Sequence, residues 1–313
     1  MLVELNNATK KLCVIGDPVL HSKSPLIQNT MLQALGLDYI YLCQPVKVGE
    51  AEHWLACAKL AGYAGFNATM PHKEDLFPLM DELDEDARLY GSVNTVVLRE
   101  GRALGYNTDG VGFHQALLHA GADPKGRRVV LLGSGGAAKA VALKLAQQGA
   151  ASVTICNRTL EKARALCARA PEVLSPAGFD IDTLRAQAAR ADLLVNCTSL
   201  GMTGGMGQFD DLSFLEALPR ETPVCDLIYA PLETALLARA RELGHPTLNG
   251  LNMLLYQAIF ALEHFTGTSI NAPAMAARLA PLLNTPPETV PLDRTNGAPR
   301  PLKWCMVTAA MVH

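Results

Sequence analysis

Short apolar runs alternate with longer stretches of helical spacing along most of the chain, joined by brief polar connections. Lys11 to Ile15 reads as a strand ending in the turn cluster Gly16-Asp17-Pro18. A helix from Pro25 to Leu35, a strand from Tyr39 to Gln44, a helix from Gly49 to Ala61 and a strand from Tyr63 follow. Strand and helix taking turns in this way predict a mostly parallel sheet. Gly91 to Leu98 is strand-like with a polar step at Asn94 and Thr95. A turn at Glu100 and Gly101 separates it from GYNTDGVG, residues 105 to 112, where Asp109 stands among glycines at a helix start.

The sharpest change of period lies in RRVVLLGSGGAA, Arg127 to Ala138, where the apolar run Val129 to Leu132 breaks into Gly133, Gly135 and Gly136. This predicts a buried strand turning into a helix from Ala137 to Gln148. Gly133, Gly135 and Ala138 have the G-x-G-x-x-A spacing of a dinucleotide fingerprint, which serves a tight turn, close approach to a pyrophosphate and close helix packing. Strand and helix signals continue at Ser152 to Cys156, Leu160 to Arg169, Asp192 to Cys197 and Val224 to Tyr229. The stretch MTGGMGQFDD, Met202 to Asp211, reads as a flexible, solvent-facing loop. Gly250 to Gly267 has one strongly apolar helix pattern, suited to supporting two lobes. From Pro286 the composition shifts to Pro, Thr and Asn, so residues 286–313 read as a tail outside the fold.

Composition narrows the class. With 313 residues, 49% hydrophobic and 18% charged, the chain is long enough for two ordinary domains, and a net charge of −3 argues against nucleic acid as a main partner. The eight cysteines are scattered singly, without C-x-x-C pairs or nearby histidines. They read as reduced residues of a cytoplasmic protein, and no metal is expected. The N-terminus lacks a signal pattern, and no apolar run approaches the roughly 20 residues that span a bilayer, so no membrane partner is expected.

Several polar residues stand where chemistry needs them. Ser22 and Ser24 precede Pro25 at a helix start, which makes Ser24 an ordinary N-cap or, with Ser22, half of a small carboxylate pocket. Lys73, close behind Pro71 and near a helix start, opposes the helix dipole unless it serves a purpose or is simply solvated. Asp109 suits an N-cap, and function requires it to face a ligand as well. The second strand of the glycine-loop region ends in Asn157, Arg158 and Thr159, with Lys162 four residues after the arginine. An NAD-binding domain usually carries an acidic residue there for the ribose 2′-OH, whereas two cations suit the 2′-phosphate of NADP.

The ordered series HSKSP, NATMPHK, GSVNT, GYNTDGVG, LGSGGAA, NRT, NCTSLGM, YAPLET and GLNMLLYQA resembles the shikimate dehydrogenase family, across Lys11 to Leu283. The resemblance implies an α/β fold of two domains: a mostly parallel substrate domain over 1–110 and a Rossmann domain over 111–250, with helices at 251–285 returning to the first. It implies reversible reduction of 3-dehydroshikimate to shikimate with NADPH, in aromatic amino-acid (chorismate) biosynthesis, by a monomer or homodimer. The catalytic lysine and aspartate fall on Lys73 and Asp109, the carboxylate-binding serines on Ser22 and Ser24, and the ring-hydroxyl contacts on Thr69, Asn94, Asp109, Tyr229 and Gln257. Cofactor contacts fall on Gly133, Ser134, Gly135, Gly136, Ala137, Asn157, Arg158, Thr159, Lys162, Thr198, Met202, Gly250 and Met253.

The sequence departs from the family pattern at Gln28, where many members have His, at Ala68, where Val is usual, and at Phe265, where Trp is common. Gln28 resembles the quinate/shikimate subgroup, which leaves quinate or aminoshikimate as substrates and NAD as cofactor open. Asn157-Arg158-Thr159 with Lys162 resembles the NADP-preferring branch. A catalytically idle Rossmann regulator is a further alternative, which both Lys73 and Asp109 speak against.

Overall fold

The computed structural model describes residues 5–205 and 207–284, so the expected tail at 286–313 lies outside the described residues. Its first half contains β1 (Lys10–Gly16), α1 (Ser24–Ala34), β2 (Tyr39–Pro45), α2 (Ala51–Leu60), β3 (Tyr63–Ala68), β4 (Glu82–Leu83), α3 (Glu85–Tyr90), β5 (Thr95–Arg99), β6 (Arg102–Tyr106) and α4 (Asp109–His119). Then come β7 (Arg128–Leu132), α5 (Gly136–Gln147), β8 (Ser152–Cys156), α6 (Leu160–Cys167), β9 (Leu174–Ala177), α7 (Ile181–Ala188), β10 (Leu193–Asn196), β11 (Val224–Asp226), α8 (Ala235–Glu242) and β12 (Thr247–Leu248). The helices α9 (Leu251–Thr266) and α10 (Ala272–Asn284) close the described chain.

The strands form two six-stranded sheets. The first has the order β2-β1-β3-β5-β6-β4 and is mixed: β1 pairs parallel with β2 and β3, but β5 runs antiparallel to both β3 and β6. The hairpin β5–β6, turning at Glu100 and Gly101, reverses the direction that a helical crossover would keep. The second sheet has the order β12-β11-β10-β7-β8-β9 with every pairing parallel, the usual arrangement of a dinucleotide-binding sheet. Its central strands are apolar along their length because helices cover both faces; Val129 to Leu132 and Leu193 to Val195 are all buried.

Two helices join the lobes. α4 turns Ala116 toward the core beside the first sheet and Phe113 and Leu117 toward the core beside the second, while Met253 of α9 packs against both. Gly112 allows α4 to cross α9 closely, since a Cβ there would lie 2.7 Å from the Gln257 backbone nitrogen. Polar contacts add to this: Lys144 of α5 pairs with Asp86 of α3 at 2.7 Å, Lys139 pairs with Glu74 at 2.5 Å, and Arg169 donates to the Leu89 carbonyl at 2.7 Å. Gln28 is fully buried and donates to the Ala258 carbonyl at 3.0 Å, fastening α1 to α9. Among the described residues no helix is long and apolar enough to cross a membrane.

Three local expectations change. The strand expected from Gly91 starts only at Thr95: Val93 N–H turns away to the Lys73 carbonyl, while Asn94 still bonds Tyr106 of β6 and Ala68 of β3. The strand expected to reach Tyr229 stops at Asp226, so Tyr229 stands in the following loop. Within the loop expected to be flexible and solvent-facing, most side chains are exposed, but Phe209 is wedged between Phe179 and Phe214, with ring centroids 6.2 and 6.1 Å apart. A buried aromatic edge in a glycine-rich loop gives it an anchor that composition conceals.

Candidate active site

The ends of β1 and β3 lie side by side, with Ile15 opposite Ala68 in parallel register. The chain stays tied together beyond them: Thr69 N–H donates to the Ile15 carbonyl at 2.9 Å and Asp17 N–H to the Met70 carbonyl at 3.2 Å. Lys73, expected near a helix start, instead sits in a run of turns over residues 70–76, and its carbonyl accepts from Val93 N–H at 2.8 Å. With no helix dipole to oppose, its ammonium is answered by a carboxylate.

That carboxylate is Asp109. Lys73 Nζ donates to Asp109 Oδ2 at 2.5 Å, and Asn94 Nδ2 donates to Oδ1 at 2.8 Å. Asp109 is 6% exposed while the Lys73 side chain is 25% exposed, so the lysine carries the pair to the surface of the cleft. A buried carboxylate is tolerable only when paired and hydrogen-bonded, and both conditions are met. The N-cap position of α4 belongs to Thr108, which leaves Asp109 as the first helical residue with its side chain free for the lysine. An acid in that first turn also suits the dipole.

Asn94 is held from both ends. Its Oδ1 accepts from Thr108 N–H at 2.9 Å and from Thr95 Oγ1 at 2.8 Å, which fixes the direction in which Nδ2 points. Below it, Asn67 Nδ2 donates to the Asn94 carbonyl at 3.0 Å and to Thr95 Oγ1 at 2.9 Å, and Tyr41 donates to Asn67 Oδ1 at 2.7 Å. Asn107 Oδ1 accepts from Asp109 N–H at 3.1 Å, and its Nδ2 donates to Ser92. Each charge-assisted bond in such a knot is worth roughly 1.5 to 3 kcal/mol.

The remaining substrate candidates have their own local settings. Ser24 is the first residue of α1 rather than its cap; Lys23 holds the cap position, and Ser22 Oγ accepts from Ser24 N–H at 3.2 Å. The Ser24 hydroxyl therefore keeps its capacity for a ligand beside free N–H groups of the helix start. Tyr229 comes from the second lobe yet packs against the core around α1, α9 and α10, where burial pushes its phenol pKa up. Gln257 projects from α9 at the crossing with α4, and its Nε2 donates to the Leu254 carbonyl at 2.9 Å.

The second crevice opens where β7 and β10 lie adjacent, the point at which the order of the parallel sheet reverses. Gly133 adopts φ +101, which favours glycine, and a Cβ there would come 3.0 Å from Thr198 Cγ2. Gly135 holds the cap position of α5 without a side-chain cap, and nothing lies within 4 Å of a Cβ built on Gly135 or Gly136. Bare N–H groups with open space before them are what a pyrophosphate requires. Ser134 is half-buried within that turn, Ala137 follows in the first turn of the helix, and Ala138 is fully buried, so α5 can close on the sheet. At the end of β8, Asn157 Nδ2 donates to the Thr159 carbonyl at 2.8 Å, while Arg158 and Lys162 are exposed and make no ion pair among the described residues. Thr198 and Met202 lie in the loop after β10, with Thr198 beside Gly133, and Gly250 immediately precedes α9.

Residues 14–96 match the family described as shikimate dehydrogenase substrate binding domain, and residues 116–202 match shikimate / quinate 5-dehydrogenase. The shikimate dehydrogenase (NADP(+)) of Alkaliphilus metalliredigens is 42% identical over 272 residues, which cover 85% of this chain and 95% of that protein. The chain belongs to the shikimate dehydrogenase family. Among solved members, the shikimate 5-dehydrogenase of Listeria monocytogenes, in complex with shikimate and NAD, matches with a TM-score of 0.81 at 30% identity, covering 89% of this chain and 99% of that one. The shikimate 5-dehydrogenase of Thermus thermophilus, in complex with NADP(H) and shikimate, matches with a TM-score of 0.75 at 34% identity, covering 87% of this chain and 99% of that one.

Against this shikimate dehydrogenase background, direct hydrogen bonds unite Lys73, Asn94 and Asp109; Thr69 follows the end of β3, and Ser22 and Ser24 lie at the start of α1. Sequence reasoning passed over the supporting Asn67, Thr95, Asn107 and Thr108. Their signal was present, since an amide inside the apolar strand YAGFNA has to be satisfied by something.

Proposed function

We propose that this chain is an oxidoreductase that reduces 3-dehydroshikimate reversibly to shikimate with NADPH, with Lys73 and Asp109 as its acid–base pair. The observation that carries the assignment is the 2.5 Å contact of a half-buried lysine with a buried aspartate, fixed in turn by Asn94. The relatives named NADP(+) shikimate dehydrogenases supply the reaction class.

Ser22 and Ser24 hold the substrate carboxylate at the start of α1, and Thr69, Asn94, Asp109, Tyr229 and Gln257 orient the ring hydroxyls. Bound NADPH supplies the hydride, and the residues of the crevice fit it: free N–H groups at α5 for the pyrophosphate, and for the 2′-phosphate Arg158 and Lys162, which make no ion pair among the described residues. As the ketone oxygen gains charge, the Lys73 ammonium stabilises it and passes it a proton, so no free alkoxide has to form. Asp109 holds the ammonium in place throughout and supports its reprotonation. In the reverse direction the neutral amine accepts the hydroxyl proton of shikimate. The closing experiment is a substrate panel at saturating NADPH: 3-dehydroshikimate should exceed 3-dehydroquinate in kcat/KM by at least tenfold, and parity or reversal would replace this assignment with the quinate/shikimate reading.

A further inference from the structure

Asn196 and Asp226, the last residues of β10 and β11, are partners in the parallel register, and both are fully buried. Neither belongs to the substrate or cofactor contacts assigned above. Asp226 Oδ1 accepts from Asn196 Nδ2 at 3.0 Å and from Ile228 N–H at 3.1 Å, and Oδ2 accepts from Thr234 Oγ1 at 2.6 Å. Amide nitrogens can only donate, so Oδ1 has to be an acceptor for both. Asn196 Oδ1 then accepts from Thr198 N–H at 3.0 Å and from Thr198 Oγ1 at 2.7 Å. Were the Asn196 amide turned over, its oxygen would face the Asp226 Oδ1 acceptor and its NH2 group the Thr198 N–H donor, so the Asp226 carboxyl and that N–H together dictate which end faces Thr198.

The same carboxyl sets the other loop through Ile228, the residue before Tyr229. The two loops are also cross-linked, because Thr203 N–H donates to the Ala230 carbonyl at 2.8 Å, and Gly250 N–H donates to the Ile228 carbonyl at 2.9 Å. Among the described residues no cation contacts Asp226, and burial pushes its pKa up. A carboxyl in such a place is costly unless its hydrogen bonds are all made. From this geometry we infer that Asp226 is a positioning residue: one buried carboxyl group aligns the cofactor loop carrying Thr198 and Met202 with the substrate loop carrying Tyr229. The inference rests on the function proposed above, and it assigns to hydrogen bonding, rather than to charge, the coupling of the two halves of the site.

The test compares Asp226→Ala, Asp226→Asn and Thr234→Val by steady-state kinetics, by NADPH affinity from fluorescence titration, and by Tm. Asparagine can keep its oxygen at the Oδ1 position and donate its NH2 to Thr234, so Asp226→Asn should stay within about threefold of wild type in kcat and NADPH affinity. Asp226→Ala should lower kcat by about tenfold to a hundredfold and weaken NADPH binding several-fold, the scale of a misplacement of about 1 Å. If Asp226→Ala does not fold, Thr234→Val carries the decision, with a loss of about threefold to tenfold in kcat and weaker NADPH binding. A folded Asp226→Ala, or in its absence Thr234→Val, with a lower Tm but unchanged kcat and NADPH affinity reduces the carboxyl to a structural part and overturns the inference. A wild type that binds NADPH but ignores 3-dehydroshikimate removes the functional reading and leaves the titration to decide this one; a wild type that does not bind NADPH overturns both.

Discussion

The knot around Lys73 and the turn around Gly133 both belong to the proposed site, yet they are built on opposite terms. In the knot each member is answered by another part of the protein: Lys73 by Asp109, Asp109 by Asn94, Asn94 by Thr95 and Thr108. In the glycine turn the donors are left bare, α5 has no side-chain cap, and Arg158 and Lys162 have no carboxylate partner among the described residues. The contrast shows where each region obtains its order. Groups that move a proton have to be aligned before the substrate arrives, because misalignment is lost directly from the rate. Groups that hold a cofactor can wait for its phosphates, since binding itself completes their hydrogen bonds.

The largest test of this contrast is Lys73→Ala, which should lower kcat by about two to four orders of magnitude, the usual contribution of a positioned acid or base. Substrate KM should change much less, and steady-state kinetics that find kcat within a few fold of wild type would remove Lys73 from the proton transfer. On the open side, Arg158→Ala should erase most of a preference for NADPH over NADH that we place at roughly 30-fold to 1000-fold, from about 2 to 4 kcal/mol of charge-assisted hydrogen bonding at 1.4 kcal/mol per factor of ten. Comparing kcat/KM for both cofactors checks it, and a wild type equally content with NADH defeats the assignment. Gly135→Ala separates the two regions more finely. A Cβ there meets no protein atom within 4 Å, so Tm should shift by only a few degrees while KM for NADPH rises roughly tenfold. A large fall in Tm with an unchanged KM would show that the open turn is structural.

The smallest effect concerns a carboxylate that lacks what Asp109 has. Asp84 caps α3, accepting from Ala87 N–H at 2.7 Å, and burial, helped by the nearby Asp86 charge, pushes its pKa up to about 6. The folded protein thus binds this proton more tightly than the unfolded chain does. The contribution of Asp84 to stability is therefore greatest below about pH 4, falls as the pH rises through about 6, and is flat above it. Asp84→Asn keeps an oxygen for the cap and removes the charge, so Tm should rise by a degree or two at about pH 8 and stay unchanged at about pH 4. An equal shift at both values would mean that the effect comes from packing.

How far the site was legible depends on whether its signal is local. The glycine spacing at Gly133 to Ala138, the cations after Cys156 and the turn at Glu100 and Gly101 are local: each states its conformation or charge within a few residues, and the structure places them accordingly. The orientation of β5 was not local. Nothing within Thr95 to Arg99 distinguishes an antiparallel partner from a parallel one on the β3 side, where Gly65 stands opposite Val97. Lys73 shows the same limit: proximity to Pro71 suggested a helix start, whereas its backbone is held by Val93 and its ammonium pairs with Asp109, 36 residues away.

The alternation of strands and helices, the dinucleotide turn and the cations beside it could all be read from the chain, because backbone preference and side-chain chemistry reside in neighbouring residues; the proposed pair Lys73 and Asp109 came from the family resemblance instead. Packing was needed to show that Asn94 orients Asp109, that Asn67 and Tyr41 brace Asn94 from below, that Tyr229 enters the core of the other lobe, and that Asp226 ties two loops. Those contacts join residues far apart in the chain, and a hydrogen bond forms between them only when packing has already fixed the distance and the angle.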